Sequence, residues 1–302
     1  MQVFKKAKWL WCEKNATPDS YGEFLVEFEH EKHKKNISMH ISADSDYAIF
    51  INGNFVANNQ YSDFEYFKVY DTIDITDYLI EGKNVLAVLV WYVGVTNQKY
   101  MQADAGLIFE VFEGEKVLLL SDEKVLSRKS LAYKNGRQKR IGIQIGFSFY
   151  YDATKEDDWL KGNKNGFLPS VIVNKRCDFV SRPNKKLQLK GKVVSTSSRK
   201  WHSNLVVTVD LGKETVGLPY MEFNSTVEQK VIVVWSESLS SGNVRRYMGG
   251  NEYSFEYIAK KGMIMLIHSG LDLLVKGDFC SPKKVREVLD YDLMGRAILN
   301  EI

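Results

Sequence analysis

The sequence predicts an all-β protein: one β-sandwich, a second and smaller β-sandwich, and a C-terminal helix. Three observations carry this. Short apolar segments recur at short spacing with turn residues between them, as in a sandwich. Some alternate cleanly, so that Ile37, Met39 and Ile41 point one way and Ser38, His40 and Ser42 the other. Tyr, Phe and Trp make up 13% of the chain, and such rings suit a half-buried pleat.

The first half offers strands at Phe24–Phe28, Ile37–Ser42, Tyr47–Ile51, Tyr66–Val69, Val85–Trp91, Leu107–Phe112 and Val117–Leu120. Asn52-Gly53-Asn54 follows Tyr47–Ile51 and predicts a hairpin returning through Phe55-Val56, because Asn-Gly supplies the positive φ angles of a primed turn. Thr76 to Gly82 reads as one helical turn, with Thr76 as N-cap and Gly82 ending it. Val85–Trp91 is an unbroken apolar run, as expected of a strand buried on both faces. Ala132 to Lys175 is glycine-rich and irregular, and is expected to fold back onto the first sandwich within residues 1–178. Arg176 to Lys200 is poor in large apolar residues, which predicts a linker over 179–200.

A second sandwich is expected over 201–280, from Leu205–Leu211, Pro219–Phe223, Val231–Trp235, Tyr253–Ile258 and Met263–Ile267. Ser281-Pro282 then reads as an N-cap and first helical position, so 281–302 is expected to be helical. Val285, Val288, Leu289 and Leu293 form one stripe that needs a covering surface.

Composition excludes several classes. The net charge of +3 is too small to imply nucleic acid, and the basic clusters at Lys32–Lys35, Arg137–Arg140 and Lys283-Lys284 lack interleaved aromatics. Cys12, Cys177 and Cys280 are far apart, which speaks against a disulfide framework or a zinc site and suits a reducing compartment. The N-terminus has no apolar stretch of signal-peptide length, and Met263 to Val275 is interrupted by His268, Ser269, Gly270 and Asp272. A cytoplasmic chain without membrane or nucleic-acid partners is expected.

The order strand, Asn-Gly turn, strand, "DITDYL…GKN" turn, buried strand resembles the jelly-roll, galactose-binding-like module at the front of large glycoside hydrolases. Further stretches are similar to the bacterial α-L-rhamnosidase family. They are Trp9-Leu10-Trp11, Gly146 to Ala153 (GFSFYYDA) with Trp159 beyond, Asp210 to Gly217 (DLGKETVG), and Trp235 to Leu239 (WSESL). The resemblance implies that this chain holds the non-catalytic N-terminal β modules of such an enzyme. The reaction would then occur on a following (α/α)6 barrel, for which this sequence has no room, and the parent substrate would be a rhamnoside-type glycan. Gly270 to Leu274 departs from the family pattern, with Asp272 where an arginine is expected. Other readings stay open: a stand-alone, lectin-like carbohydrate-binding protein, a β-galactosidase-like fragment, or a structural or assembly protein. The C-terminal helix would meet either a missing catalytic domain or a second copy of the chain.

Glycoside hydrolysis by inversion needs two carboxyl groups roughly 6.5–9.5 Å apart across a pocket. Asp44 and Asp46 would share a strand face, yet they also precede a hairpin strand and read as turn caps. No catalytic residue is expected: Glu237 is the carboxylate most worth testing, but by the family resemblance its place in the second β domain suits bonding to backbone N–H groups better than catalysis. The five histidines are scattered without metal-ligand spacing, no nucleophile elbow or phosphate loop occurs, and no metal or cofactor is expected. For sugar binding, the loop after the buried strand has the right composition, which points to Trp91, Asn97, Tyr100 and Gln102.

Overall fold

The longest pairing joins the two strands that read most clearly in the sequence. In a computed structural model the chain forms two compact units. The residues described are 3–31, 36–185, 191–194, 197–201, 206–210, 217–236, 239–240, 243–267, 277–280 and 298–301. The first unit comprises Met1–Ser130, Asn135–Arg137 and Asp157–Lys185. Its strands are β1 (Trp9–Trp11), β2 (Ser20–His30), β3 (Ile37–Asp44), β4 (Asp46–Ile51), β5 (Asn54–Asn58), β6 (Phe67–Asp74), β7 (Gly82–Tyr92), β8 (Gly106–Glu113), β9 (Lys116–Leu120) and β10 (Leu126–Lys129), then Leu168–Pro169, Val171–Val173 and Asp178–Ser181. One sheet runs Val171–Val173, β1, β8, β3, β6, Asp178–Ser181, with β9 also on β8. The other runs Leu168–Pro169, β10, β2, β7, β4, β5.

β2 and β7 pair antiparallel along their whole length, from Ser20 opposite Tyr92 to His30 opposite Gly82. Leu86, Val88 and Val90 of β7 face the shared core with Trp11, Phe24, Met39, Ile41, Ile49 and Phe109. Val85 and Ala87 face the other way and pack with Leu25 and Phe167, against which Trp159 and Leu160 lie. That second layer explains the unbroken apolar run: β7 is covered on both faces, once by the opposing sheet and once by segment 157–167.

Arg128 on β10 holds this cover. Its guanidinium donates to Glu23 on β2 (2.7 Å), to both oxygens of Asp157 (2.7 and 2.8 Å) and to the Asn165 carbonyl (2.5 Å). It also lies 4.3 Å from the Phe167 ring centroid.

The Asn-Gly hairpin forms as predicted, with φ of 52° at Asn52 and 82° at Gly53. Buried Asn84 joins it to the following turn. Its amide nitrogen donates to the Ile80 and Gly82 carbonyls, while its oxygen accepts from Ile80 N and Asn52 Nδ2. The helical turn is shorter than expected, a 3₁₀ turn over Thr76–Tyr78 with Ile75, not Thr76, at the N-cap position. The Thr76 hydroxyl instead accepts from Ile37 N (2.8 Å) and donates to Asp74 (2.6 Å), pinning the turn to β3.

The second unit comprises Leu131–Lys134, Gln138–Glu156 and Lys186–Ile302. A six-stranded sheet runs Tyr150–Asp152, Ser254–Ala259, Gln229–Trp235, Gly277–Cys280, Val206–Asp210, Ser197–Trp201. A four-stranded sheet runs Gly191–Val194, Ile298–Glu301, Gly217–Ser225, Gly262–Ile267. Part of the excursion expected on the first sandwich therefore belongs here. Tyr150–Asp152 runs parallel to Ser254–Ala259, Phe149 stacks on Phe255 (4.3 Å between centroids) and Tyr151 on Tyr257 (5.5 Å). Asp152 accepts from Thr154 N and caps the turn that follows.

The stretch 179–200, expected as a linker, carries strands: Asp178–Ser181 pairs with β6, and Gly191–Val194 and Ser197–Trp201 join the second unit's sheets. Ile298–Glu301, expected to end a helix, is a strand paired on both sides, with Gly191–Val194 and with Gly217–Tyr220. Two-sided backbone pairing outweighs the helical periodicity of that sequence. The stripe of Val285, Val288, Leu289 and Leu293 lies outside the described residues, as does the Gly270–Leu274 stretch.

Replacing Arg128 by Met should leave the buried Glu23 carboxylate uncompensated and destabilise the first unit by about 3–5 kcal/mol. Urea unfolding measures the loss, and early proteolysis within 157–167 would mark its location. The Arg128 bonds hold the Asp157 carboxyl below the ordinary aspartate range. That share of stability is present above the ordinary range and lost as pH falls through the depressed value. Burial raises the Glu23 carboxyl, so Glu23 takes its proton first. Amide exchange in 157–167 should accelerate at acid pH before exchange in β7 does.

Candidate functional site

The end of β3, the start of β6 and the segments that follow β7 and the strand Val171–Val173 meet through one buried carboxylate. Asp44, fully buried at the end of β3, accepts from Lys68 (3.0 Å), Lys175 (3.2 Å) and the Tyr100 hydroxyl (2.7 Å). Both lysine side chains are only 2% exposed. Lys175 also donates to the Asp104 carbonyl (2.7 Å) and lies 4.9 Å from the Trp9 ring centroid. Burial works against the Lys68 ammonium, but the Asp44 and Asp63 carboxylates outweigh it and raise its pKa. For Lys175 burial prevails over Asp44 and the pKa is lowered. Burial, seconded by Asp44, pushes the Tyr100 hydroxyl far up, so it stays a donor.

Lys68 has a second partner, Asp63 (2.5 Å), five residues earlier. Asp63 also accepts from Val69 N (2.8 Å) and Gln60 Nε2 (3.0 Å). This ion pair closes a tight loop whose tip is Phe64-Glu65-Tyr66-Phe67. Its rings stand in solvent: Phe64 is 61% exposed, Tyr66 69% and Phe67 53%. The Ser62 hydroxyl bonds the Lys99 carbonyl and ties this loop to the one after β7.

That neighbouring loop holds three of the four residues expected to bind sugar. Asn97 N donates to the Tyr100 carbonyl (2.9 Å), the Asn97 side chain accepts from Lys99 N (2.8 Å), and Gln102 N donates to Thr96 Oγ1 (3.1 Å). Gln102 is exposed, whereas the Tyr100 hydroxyl is committed to Asp44. Trp91 is half-buried, stacked on Tyr21 (6.0 Å, 11°), with its indole N–H donated to Asp19 (2.9 Å). Its geometry is that of a structural ring. Glu237 lies outside the described residues.

Sequence reasoning passed over Phe64, and took Tyr66 and Phe67 only as the start of the strand Tyr66–Val69. Three rings in four positions was the available signal. A cleft of about 530 Å³ elsewhere on the first unit is lined by Leu25, Val26, Leu118, Leu119 and Leu126 with Lys6, Lys124 and Lys164, and offers no aromatic face. Among the described residues no three His, Cys, Asp or Glu side chains are grouped as for a metal ion, and no helix is long and apolar enough to cross a membrane.

Fold and site define a β-sandwich module that holds an aromatic loop on a rigid, ion-paired base. The sequence model of the α-L-rhamnosidase N-terminal domain matches residues 32–165. No curated protein matches the sequence. The fold is similar to that of three solved α-L-rhamnosidases. The Aspergillus terreus enzyme is 17% identical, with a TM-score of 0.74 over 98% of this chain and 36% of its own. The enzyme from Dictyoglumus thermophilum is 16% identical, with a TM-score of 0.72 over 91% of this chain and 34% of its own. The Streptomyces avermitilis enzyme, solved with L-rhamnose, is 16% identical, with a TM-score of 0.72 over 94% of this chain and 28% of its own. The chain thus spans about a third of the length of these enzymes.

Asp44→Asn should leave Lys175 without a carboxylate and Lys68 with Asp63 alone. The expected cost is about 3–5 kcal/mol, as for breaking a buried ion pair. Chemical denaturation of the two proteins decides this, and a loss under about 1 kcal/mol would show that the charges are not buried in solution.

Proposed function

We propose that this chain supplies the non-catalytic N-terminal β modules of an α-L-rhamnosidase-like glycoside hydrolase, and that its first unit binds glycan at the aromatic loop. The observation that carries this is the stapled loop that sets Phe64, Tyr66 and Phe67 in solvent. Exposing three such rings costs hydrophobic free energy, and a contiguous exposed patch of this kind marks a surface that meets a ligand. Aromatic faces suit the C–H faces of a pyranose, while the loop of Asn97 and Gln102 beside them offers amides for its hydroxyls. A rigid scaffold under a displayed loop is the usual construction of a binding site.

The carboxylates beneath the loop support a binding role over a catalytic one. Asp44 and Asp63 are both held by lysines and face the interior rather than a pocket. Neither is placed to protonate a leaving group or activate water.

The purified chain should therefore bind L-rhamnose or rhamnosyl oligosaccharides without hydrolysing aryl α-L-rhamnosides. Phe64→Ala and Tyr66→Ala should each weaken binding by tenfold or more, about 1.4 kcal/mol, with no change in urea stability. Titration calorimetry with wild type and variants reads both effects. Sugar affinity indifferent to both substitutions would move the site elsewhere, and turnover of the aryl glycoside would overturn the non-catalytic reading.

A further inference from the structure

The second unit displays another ring, Tyr247, 65% exposed on a short hairpin in which Tyr247–Met248 pairs with Asn251–Glu252 across Gly249-Gly250. Two cations flank it: the Lys139 ammonium and the Arg246 guanidinium each lie 5.7 Å from its ring centroid. Both are tied to one carboxylate. Glu252, opposite Tyr247 in the hairpin, accepts from Arg246 Nε (2.6 Å), from the Ser254 hydroxyl (3.1 Å) and from Lys139. The Glu252 side chain is 7% exposed, whereas those of Lys139 and Arg246 are 49% and 36% exposed. The arrangement is layered, with the single negative charge beneath and two positive charges beside a ring on the surface.

Among these described groups two positive charges face one negative. Lys230, which adds to the repulsion on Lys139, is paired with Glu256 (2.6 Å). Burial first, and then the charge of Arg246, hold the Lys139 ammonium below the ordinary lysine value. An anion arriving beside Tyr247 would relieve this repulsion.

We propose that Tyr247, Arg246 and Lys139 form a second binding site, selective for a saccharide bearing a carboxylate, such as a uronic acid residue. The planar guanidinium suits a carboxylate, which it can meet through two parallel N–H bonds. Lys139 adds a point charge, and the tyrosine face takes the C–H face of the sugar ring. The anion contact rests on the local charges alone. The choice of a sugar over another anion rests on the glycan reading of the first unit.

The test is titration of the full chain, followed by NMR chemical shifts and calorimetry, with three probes. They are a D-glucuronate tetrasaccharide, a neutral D-glucose tetrasaccharide and a poly-L-glutamate peptide of equal charge. The uronate should bind at least tenfold more tightly than either comparison. Tyr247→Ala and Arg246→Gln should each reduce its affinity tenfold or more, while Tyr247→Phe, which keeps the ring, and Phe64→Ala should leave it unchanged. Equal affinity for the neutral sugar, or for the peptide, would overturn the proposal, as would uronate binding that survives Tyr247→Ala. Loss of rhamnosyl binding in Phe64→Ala reports separately on the first unit, so the two readings fail independently.

Discussion

Arg128 decides whether β7 is a buried strand or an exposed one. Leu86, Val88 and Val90 are covered by the opposing sheet, but Val85 and Ala87 depend on segment 157–167, which has no regular secondary structure beyond one short turn. Such a segment stays in place only if something fixes it. One guanidinium does so, bonding Glu23 on its own sheet and Asp157 and Asn165 on the cover while stacking on Phe167. A lysine could meet one of these partners but not the fork they form. The cover in turn keeps water from the β2–β7 pairing on which both halves of their sheet are hung.

The same economy of charge shapes the aromatic loop. A lysine buried in a sandwich needs a carboxylate, and Lys68 has two, Asp44 from the end of β3 and Asp63 from its own loop. The pair with Asp63 sets the loop's length, since it leaves four residues outside the ring it closes. Three of those four are aromatic, and all three rings are exposed. Exposure of Phe64, Tyr66 and Phe67 is thus a consequence of a buried ion pair. Stability of the base and display of the rings are set by the same side chains.

Much of the fold was legible in the residues, because local chemistry and final structure agree there. Asn52-Gly53 adopts the two positive φ angles that its sequence demands, and Ile37, Met39 and Ile41 enter the core on one face of β3. What was not legible depends on distant partners. Trp159, Leu160 and Phe167 are spaced without period among Lys, Asn and Gly, so nothing local marks them as a cover. Tyr150–Asp152 gains its identity from a parallel partner roughly a hundred residues later. Residues 179–200 are poor in large apolar side chains, yet Phe179 packs on Phe4 and Trp9, and the described segments there pair as edge strands. Trp91 drew attention by composition, but an indole with its N–H on Asp19 and its face on Tyr21 is already occupied. Tyr66 and Phe67 read as the start of the strand Tyr66–Val69, because an Asp and a Lys five residues apart do not by themselves announce the ion pair that closes this loop.

The path of the chain bears on what counts as a module. It leaves the first unit after Ser130, touches it again at Asn135–Arg137, and returns at Asp157. In between it supplies the second unit with Tyr150–Asp152, the edge of a six-stranded sheet, and with Phe149 and Tyr151, which stack on Phe255 and Tyr257. A cut near residue 185 would therefore strip the second unit of an edge strand and two aromatic contacts, and leave those rings on the first unit without their partners. Composition suggests two beads on a string, whereas the strand pairings describe two units that share one interleaved stretch of sequence. A substitution within that stretch can therefore disturb the packing of both units. The range 32–165 matched by the family model likewise runs through Tyr150–Asp152 of the second unit before it ends in the cover of the first.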